Sequence, residues 1–465
     1  MNASDIGELE PAKVATDADS QPTWVRYRVM VFLCALSFLT YFDRVCISQA
    51  KGNIQQDLDI STQQMGWVLG IFWFAYGMFE IPGGWMGDRF GTRRTLIRIV
   101  LAWSLFTALS GCALGFVTLF LCRLCFGIGE AGAYPNMAAV QSRWVPAAQR
   151  ARFGGLLWLC ARWGGAFSPV MVSWFLTYVD GKAFRATMSS TPILSALSEV
   201  PGWRMGFWLS GLLGVFWCLM FYPWFRDLPS QSPKVNDAER KLLPPETGKE
   251  SHTASKAVWR ALFTSRSLWG LAIYYFCGGF GWSFFVSWVP EYMMDTFKVN
   301  YKDSAWMAAL PLFFGGISCL AGGAVCDWLV ARTSRKRLMR ACFPIFGCLA
   351  ASIAMFAIRS ADSAYQAAVL ICVAAACYDM GQSANWASIV DIGGRYAGLA
   401  AGFINMVGNL GGFIQPVIGA YIFENYGWNV MFAVYAGAFL IAACMWSLIN
   451  PEKTFHPETA AEHAP

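Results

Sequence analysis

Apolar runs of roughly twenty residues recur along the chain, separated by short polar stretches, at 29–50, 65–85, 95–114, 117–139, 153–175, 204–223, 267–290, 304–325, 340–358, 366–388, 397–422 and 428–448. A helix rises 1.5 Å per residue, so about 20 apolar residues cross the hydrocarbon core of a bilayer. Twelve such runs predict an all-α polytopic membrane protein with twelve transmembrane helices, too many for a signal peptide or a single anchor to explain. The polar stretch 224–266 divides six runs from six. It predicts a cytosolic linker between an N-terminal six-helix bundle, 29–223, and a C-terminal one, 267–448, with tails at 1–28 and 449–465. A short amphipathic helix is expected around Lys256-Ala257-Val258-Trp259.

Composition agrees with this class. Of 465 residues 56% are hydrophobic and only 14% charged, with mean hydropathy +0.42, whereas soluble domains carry about 25% charged residues. The N-terminus, the even-numbered loops and the C-terminus hold 25 lysines and arginines, the opposite side 7, and three more (Arg44, Arg123 and Arg162) lie inside runs. The positive-inside rule then places both termini in the cytoplasm of a cell membrane, with a bacterial inner membrane expected. The net charge of +6 sits in short loops, not in a groove for nucleic acid. The fifteen cysteines lie in or beside apolar runs and read as small buried hydrophobes. The three histidines, His252, His456 and His463, fall in a loop and a tail. That placement argues against converging metal ligands and against a histidine dyad, so no enzyme, cofactor or metal is expected. A functional monomer is expected.

The halves echo one another. Gly164-Gly165-Ala166-Phe167-Ser168-Pro169 matches Gly411-Gly412-Phe413-Ile414-Gln415-Pro416 at an offset of 247, and Gly202-Trp203-Arg204 recurs as Gly427-Trp428-Asn429 at 225. Duplicated bundles around a midplane site are a common build of secondary transporters. Between runs 2 and 3 lies Gly84-Trp85-Met86-Gly87-Asp88-Arg89-Phe90-Gly91-Thr92-Arg93-Arg94, whose glycines permit a tight turn and whose Asp88 can accept hydrogen bonds from a helix end or an arginine. A degenerate copy, Gly323-Ala324-Val325-Cys326-Asp327 followed by Arg332 and Arg335-Lys336-Arg337, follows run 8 at an offset of 239.

Ionisable side chains in hydrocarbon are expensive unless paired or facing water, so they mark substrate or ion paths. Tyr41-Phe42-Asp43-Arg44 lies in run 1, and Arg123 and Glu130 lie in run 4. Adjacent helix residues point about 100° apart, so Arg44 can face a central cavity and grip a carboxylate while Asp43 turns to its own bundle. Arg123 and Glu130 are separated by two turns, roughly 10 Å of rise, and each needs a partner on another helix. An anion that occupies an arginine removes the counter-charge of the neighbouring acid, so anion and proton binding are reciprocally linked. Arg162 in run 5 faces the cavity and favours a dicarboxylate or a more highly charged anion, or compensates Asp43 or Glu130, or snorkels from a lipid-facing position. In the C-terminal half, Tyr275, Ser388 and Asn409 are candidate donors to substrate hydroxyls. Asp379 is expected to pair with a base or to carry a proton. Glu80 is expected to join the loop at 84–94, and Glu291 to be structural or gating.

The loop motif at 84–94 resembles the signature cytosolic loop of the major facilitator superfamily, where it helps latch the halves in the outward-open state. Asp43-Arg44, the run Arg123-Leu124-Cys125-Phe126-Gly127-Ile128-Gly129-Glu130-Ala131-Gly132-Ala133-Tyr134-Pro135, and Asn405-Met406-Val407-Gly408-Asn409-Leu410-Gly411-Gly412 narrow the likeness to the anion:cation symporter family. That family includes bacterial galactonate, glucarate and hexuronate carriers and animal sialin and phosphate or glutamate carriers. The resemblance implies that Asp43 and Glu130 couple protons and that Arg44, Arg123 and the flanking Tyr41 serve the anion and its charge network. It also implies that Gly84, Asp88, Arg89, Arg93, Glu80 and Asp327 belong to the latch. The expected activity is proton-coupled import of an organic carboxylate anion, a sugar acid foremost, by alternating access. The alternatives are efflux of drugs and facilitative transport of other anions; three intramembrane arginines repel cations and argue against a cation pump.

Overall fold

The computed structural model describes residues 21–146, 149–190, 195–244, 256–333, 335–393 and 397–453. His252, His456, His463, most of the N-terminal tail and most of the C-terminal tail lie outside them. The described chain is helical throughout: α1 (Val25–Leu58), α2 (Thr62–Phe90), α3 (Thr92–Ser110), α4 (Phe116–Glu130), α5 (Ala133–Trp144), α6 (Arg150–Val179), α7 (Lys182–Ser190), α8 (Gly202–Trp224), α9 (Asp237–Leu242), α10 (Lys256–Thr264), α11 (Arg266–Ser287), α12 (Val289–Phe297), α13 (Tyr301–Thr333), α14 (Lys336–Ala357), α15 (Ala364–Met380), α16 (Gln382–Gly393) and α17 (Ala397–Met445). Among the described residues, eight helical segments are long and apolar enough to cross a membrane. One of them, Leu399–Leu448, holds two of the expected runs and is kinked at Gly427, whose φ of 79° favours glycine.

The apolar pattern places the helices well and their ends less well. The run at 117–139 is broken between α4 and α5, and that at 366–388 between α15 and α16. The amphipathic helix expected near Lys256 is α10, whereas α7 was not anticipated. Part of the linker docks instead of merely connecting. Asn236 caps α9, and buried Glu239 accepts from the backbone N–H of Arg26 at 3.0 Å and from its Nη1 at 3.3 Å. An acid at the start of α1 meets the positive end of the helix dipole.

Helices before residue 244 pack mainly on one another: α1 on α6, α3 on α8, α2 on α4. Those after 256 do the same, with α11 and α14 on α17 and α13 on α15. Two seams join these halves of the chain, α2 against α17 and α6 against α13. Along the first seam a Cβ on Gly66 would lie 2.5 Å from the Pro416 carbonyl oxygen, and one on Gly70 would lie 2.7 Å from that of Phe413. Backbone cannot yield as a side-chain tip can. Gly66→Ala is therefore expected to cost about 1–3 kcal/mol. A melting curve checks this; an unchanged melting temperature would contradict it.

Candidate functional site

The break between α4 and α5 fixes the first half of the site. Gly132 has φ +88°, and a side chain on it or on Gly83 of α2 would strike the other's backbone, 2.5 and 2.6 Å from the respective Cα atoms. Asn136 staples the bend by donating from Nδ2 to the carbonyl oxygens of Gly132, at 2.7 Å, and Gly83, at 3.0 Å. Glu130 thereby becomes the last residue of α4, fully buried. A carboxylate at a helix C-terminus faces the negative end of the dipole and needs a cation. Arg44 supplies it, with Nε donating to Oε1 at 2.6 Å. The guanidinium is caged by aromatic rings, with centroids 4.4 Å away for Tyr76, 4.9 Å for Tyr41 and 5.4 Å for Phe72. Among the described residues Arg44 Nη2 and Glu130 Oε2 have no hydrogen-bond partner, so the pair keeps capacity for another ligand.

Asp43 turns the other way, as its angular offset requires. It is 2% exposed, its neighbours are the Trp103 indole and the charges of Glu130 and Arg123, and among the described residues neither carboxylate oxygen has a partner in full hydrogen-bond geometry. Arg123 is buried between Phe126, at 4.7 Å, and Phe72, at 5.1 Å, and forms no ion pair among the described residues. The structure thus gathers Tyr41, Asp43, Arg44, Arg123 and Glu130 in one buried cluster.

Arg162 compensates neither Asp43 nor Glu130. Its Nη2 lies 2.7 Å from Oδ1 of Asp379, across the α6–α13 seam, and its guanidinium lies 3.7 Å from the Trp282 ring centroid. Asp379 sits at the end of α15, where Gly381 packs against Pro344. Gly315 and Gly316 of α13 make room for the pair: added Cβ atoms would lie 2.3 Å from Asp379 Oδ2 and 3.0 Å from Arg162 Cβ. A sequence signal for this site exists and went unread. Glu130-x-Gly132-x-x-x-Asn136 recurs as Asp379-x-Gly381-x-x-x-Asn385, 249 residues on. Both breaks present an acid at a helix C-terminus and meet it with an arginine.

The remaining candidates divide. Asn409 is 9% exposed, packs on Gly77 of α2 and leaves Nδ2 unbonded, and half-buried Tyr275 lies within electrostatic reach of Arg162. Both stay near the centre. Ser388 is buried but donates to the Ala384 carbonyl at 2.8 Å on its own helix, because a serine hydroxyl in a helix finds that carbonyl within reach. Glu80 accepts from Asn405 Nδ2 at 2.5 Å and so ties α2 to α17, not to the 84–94 loop. Gly84 packs against Pro135. Arg89 stacks on Trp85 and Phe90 of its own helix, and Arg93 donates to the Tyr222 carbonyl at the end of α8, so both remain within their half. The Asp88 side chain lies outside the described residues. Asp327 is exposed; the carboxylate that pairs with Lys336, at 2.9 Å, and with Arg340 is Asp391 of α16. Asp227, likewise unanticipated, accepts from Thr92 Oγ1 at 2.7 Å and the Arg93 N–H at 2.8 Å.

At the end of the molecule that carries the α1–α2 connection, the halves are locked together. Buried Lys51 pairs with Glu291 and lies 3.6 Å from the Trp288 ring centroid, and the Tyr301 hydroxyl donates to the Gln49 carbonyl at 2.8 Å. Glu291, expected to be structural or gating, is one side of this contact between the halves.

A helical membrane fold with two glycine-lined seams, one buried arginine–carboxylate pair within the first half and a second across the halves defines a multi-pass membrane carrier. Residues 33–416 match the family model described as Major Facilitator Superfamily, and the chain belongs to that family of transporters. It is 31% identical over 432 residues to "Probable sulfoacetate transporter SauU" of Cupriavidus necator, covering 92% of this chain and 94% of that one. It is 27% identical over 447 residues to "Probable galactarate/D-glucarate transporter GudP" of Bacillus subtilis, with 92% of each covered. The fold matches an inward-facing bacterial homolog of the human lysosomal transporter Spinster with a TM-score of 0.69 at 20% identity, covering 94% of this chain and 97% of that one. It also matches a D-xylose-proton symporter at 0.68 and 14% identity, covering 92% and 98%.

Proposed function

We propose that this chain is a proton-coupled symporter that imports an organic carboxylate anion, a sugar acid foremost, by alternating access. The observation that carries the reading is the buried Arg44–Glu130 pair with buried Asp43 beside it. The arginine offers a bidentate-capable donor to a carboxylate, and the two acids offer proton sites that sense whether the arginine is occupied. The names carried by the sulfoacetate and galactarate/glucarate relatives support the anion class. Twelve crossings in two six-helix bundles related by a pseudo-two-fold axis, in a cell membrane with both termini cytoplasmic, accommodate the helices and the distribution of Lys and Arg. In that orientation the Lys51–Glu291 end is extracellular and closed, an inward-facing arrangement.

The test is uptake into proteoliposomes across a panel of sugar acids and other carboxylates, at fixed inside pH with outside pH varied. Uptake that rises as the outside is acidified, and that dissipates an imposed pH gradient, is expected. Accumulation indifferent to the gradient would refute coupling, and accumulation of lipophilic cations in place of anions would refute the class.

A further inference from the structure

We propose that Arg162 is a second anion-binding pole, tuned to the distal acidic group of a dianion, and that Asp379 is a tethered carboxylate that fills this pole in the empty carrier. The inference rests on the transport reading above and names the substrate class of the same site.

Four observations carry it. Arg162 and Asp379 come from opposite halves of the chain, yet both are nearly inaccessible, at 7% and 0% exposure. A buried ion pair pays heavily in desolvation and is weak evidence of a stabilising role, so its placement between moving parts asks for another use. The pair is also incompletely bonded. Among the described residues Arg162 Nε and Asp379 Oδ2 have no hydrogen-bond partner, just as Arg44 Nη2 and Glu130 Oε2 have none. The repeated acid-x-Gly-x-x-x-Asn element makes Asp379 the counterpart of Glu130, so the two arginines meet equivalent acids at equivalent helix breaks. Tyr41, whose ring centroid lies 4.9 Å from the Arg44 guanidinium, is also within electrostatic reach of Arg162, so the two poles share one aromatic neighbour.

An anion with one acidic group can use Arg44 and leave the Arg162–Asp379 pair closed. An anion with two can engage Arg44 with one and displace Asp379 from Arg162 with the other. Loading by a dianion then exchanges an internal link between the halves for a link through the substrate.

The experiment measures binding of matched anions to the purified full-length protein by titration calorimetry and competition: D-glucarate against D-gluconate, and sulfoacetate against methanesulfonate. Wild type is expected to favour the dianion of each pair. Arg162→Gln should weaken dianions at least tenfold and change monoanions by less than threefold. Asp379→Asn should strengthen dianions several-fold, and more than monoanions, because the competing charge is gone. If either single variant folds poorly, the double variant Arg162→Gln/Asp379→Asn leaves no unpaired buried charge; it should bind monoanions as wild type does and show no dianion preference. Equal losses for mono- and dianions in Arg162→Gln, or a dianion preference retained in the double variant, would overturn the inference. Wild-type binding of monoanions alone overturns it while leaving the proposed function standing, and binding of no organic anion overturns both.

Discussion

Arg44→Ala is expected to abolish anion binding and uptake and to destabilise the fold. Two effects add. The first is loss of the charge-assisted contact to the substrate. Removing one member of a buried charged pair costs about 2–5 kcal/mol, and each 1.4 kcal/mol is tenfold in affinity, so a loss of roughly thirtyfold to several-thousandfold follows. The second is internal: Glu130 would stay buried at the end of α4 without the cation 2.6 Å away that offsets it, a change of about 3–5 kcal/mol. Arg44→Lys keeps the charge but not the planar fork or its fit among Tyr41, Phe72 and Tyr76, and should retain fold with weakened binding. The double variant Arg44→Ala/Glu130→Gln separates the two effects, since it removes the orphaned acid. Its melting temperature should recover towards wild type while binding stays lost; binding restored in that protein would refute Arg44 as the anion's partner.

Glu130→Gln is expected to leave anion exchange intact and to abolish accumulation driven by a pH gradient. Glutamine keeps the size and can still accept from Arg44, but it neither gains nor releases a proton, so no negative charge competes with the anion for Arg44 at any pH. In proteoliposomes, counterflow of labelled anion should persist near wild-type rate while concentrative uptake falls to the level seen without a gradient. Asp43→Asn tests the second acid in the same way. The isosteric amide fits the same buried space beside Trp103, so this variant should keep the fold. Preserved concentrative uptake in Glu130→Gln would sink its role in coupling.

Much of this could be read from the chain. A period of apolar runs needs no tertiary information, because hydrocarbon forces every backbone group to bond within its own helix. Charges inside those runs stand out for the same reason: Asp43, Arg44, Arg123 and Glu130 were legible because their burial is costly wherever they point. The glycines at 84 and 132 were visible as glycines, although only the packing of Gly132 on Gly83 explains why the fourth run must break after Glu130.

Partners were another matter. Arg162 and Asp379 are 217 residues apart, and periodicity on either helix is silent about which helix of the other half it will face. Likewise Glu80 was assigned to the loop beside it in sequence, and the fold gives it Asn405; Asp327 was assigned by a local motif, and the fold gives the basic residues of α14 to Asp391. The sequence by itself determined the membrane class, the helices and the identity of the buried charges, since each follows from a local cost of transfer into hydrocarbon. Only the tertiary structure decided which acid meets which arginine, because that cost is relieved by contacts across the seams, where distance along the chain carries no information.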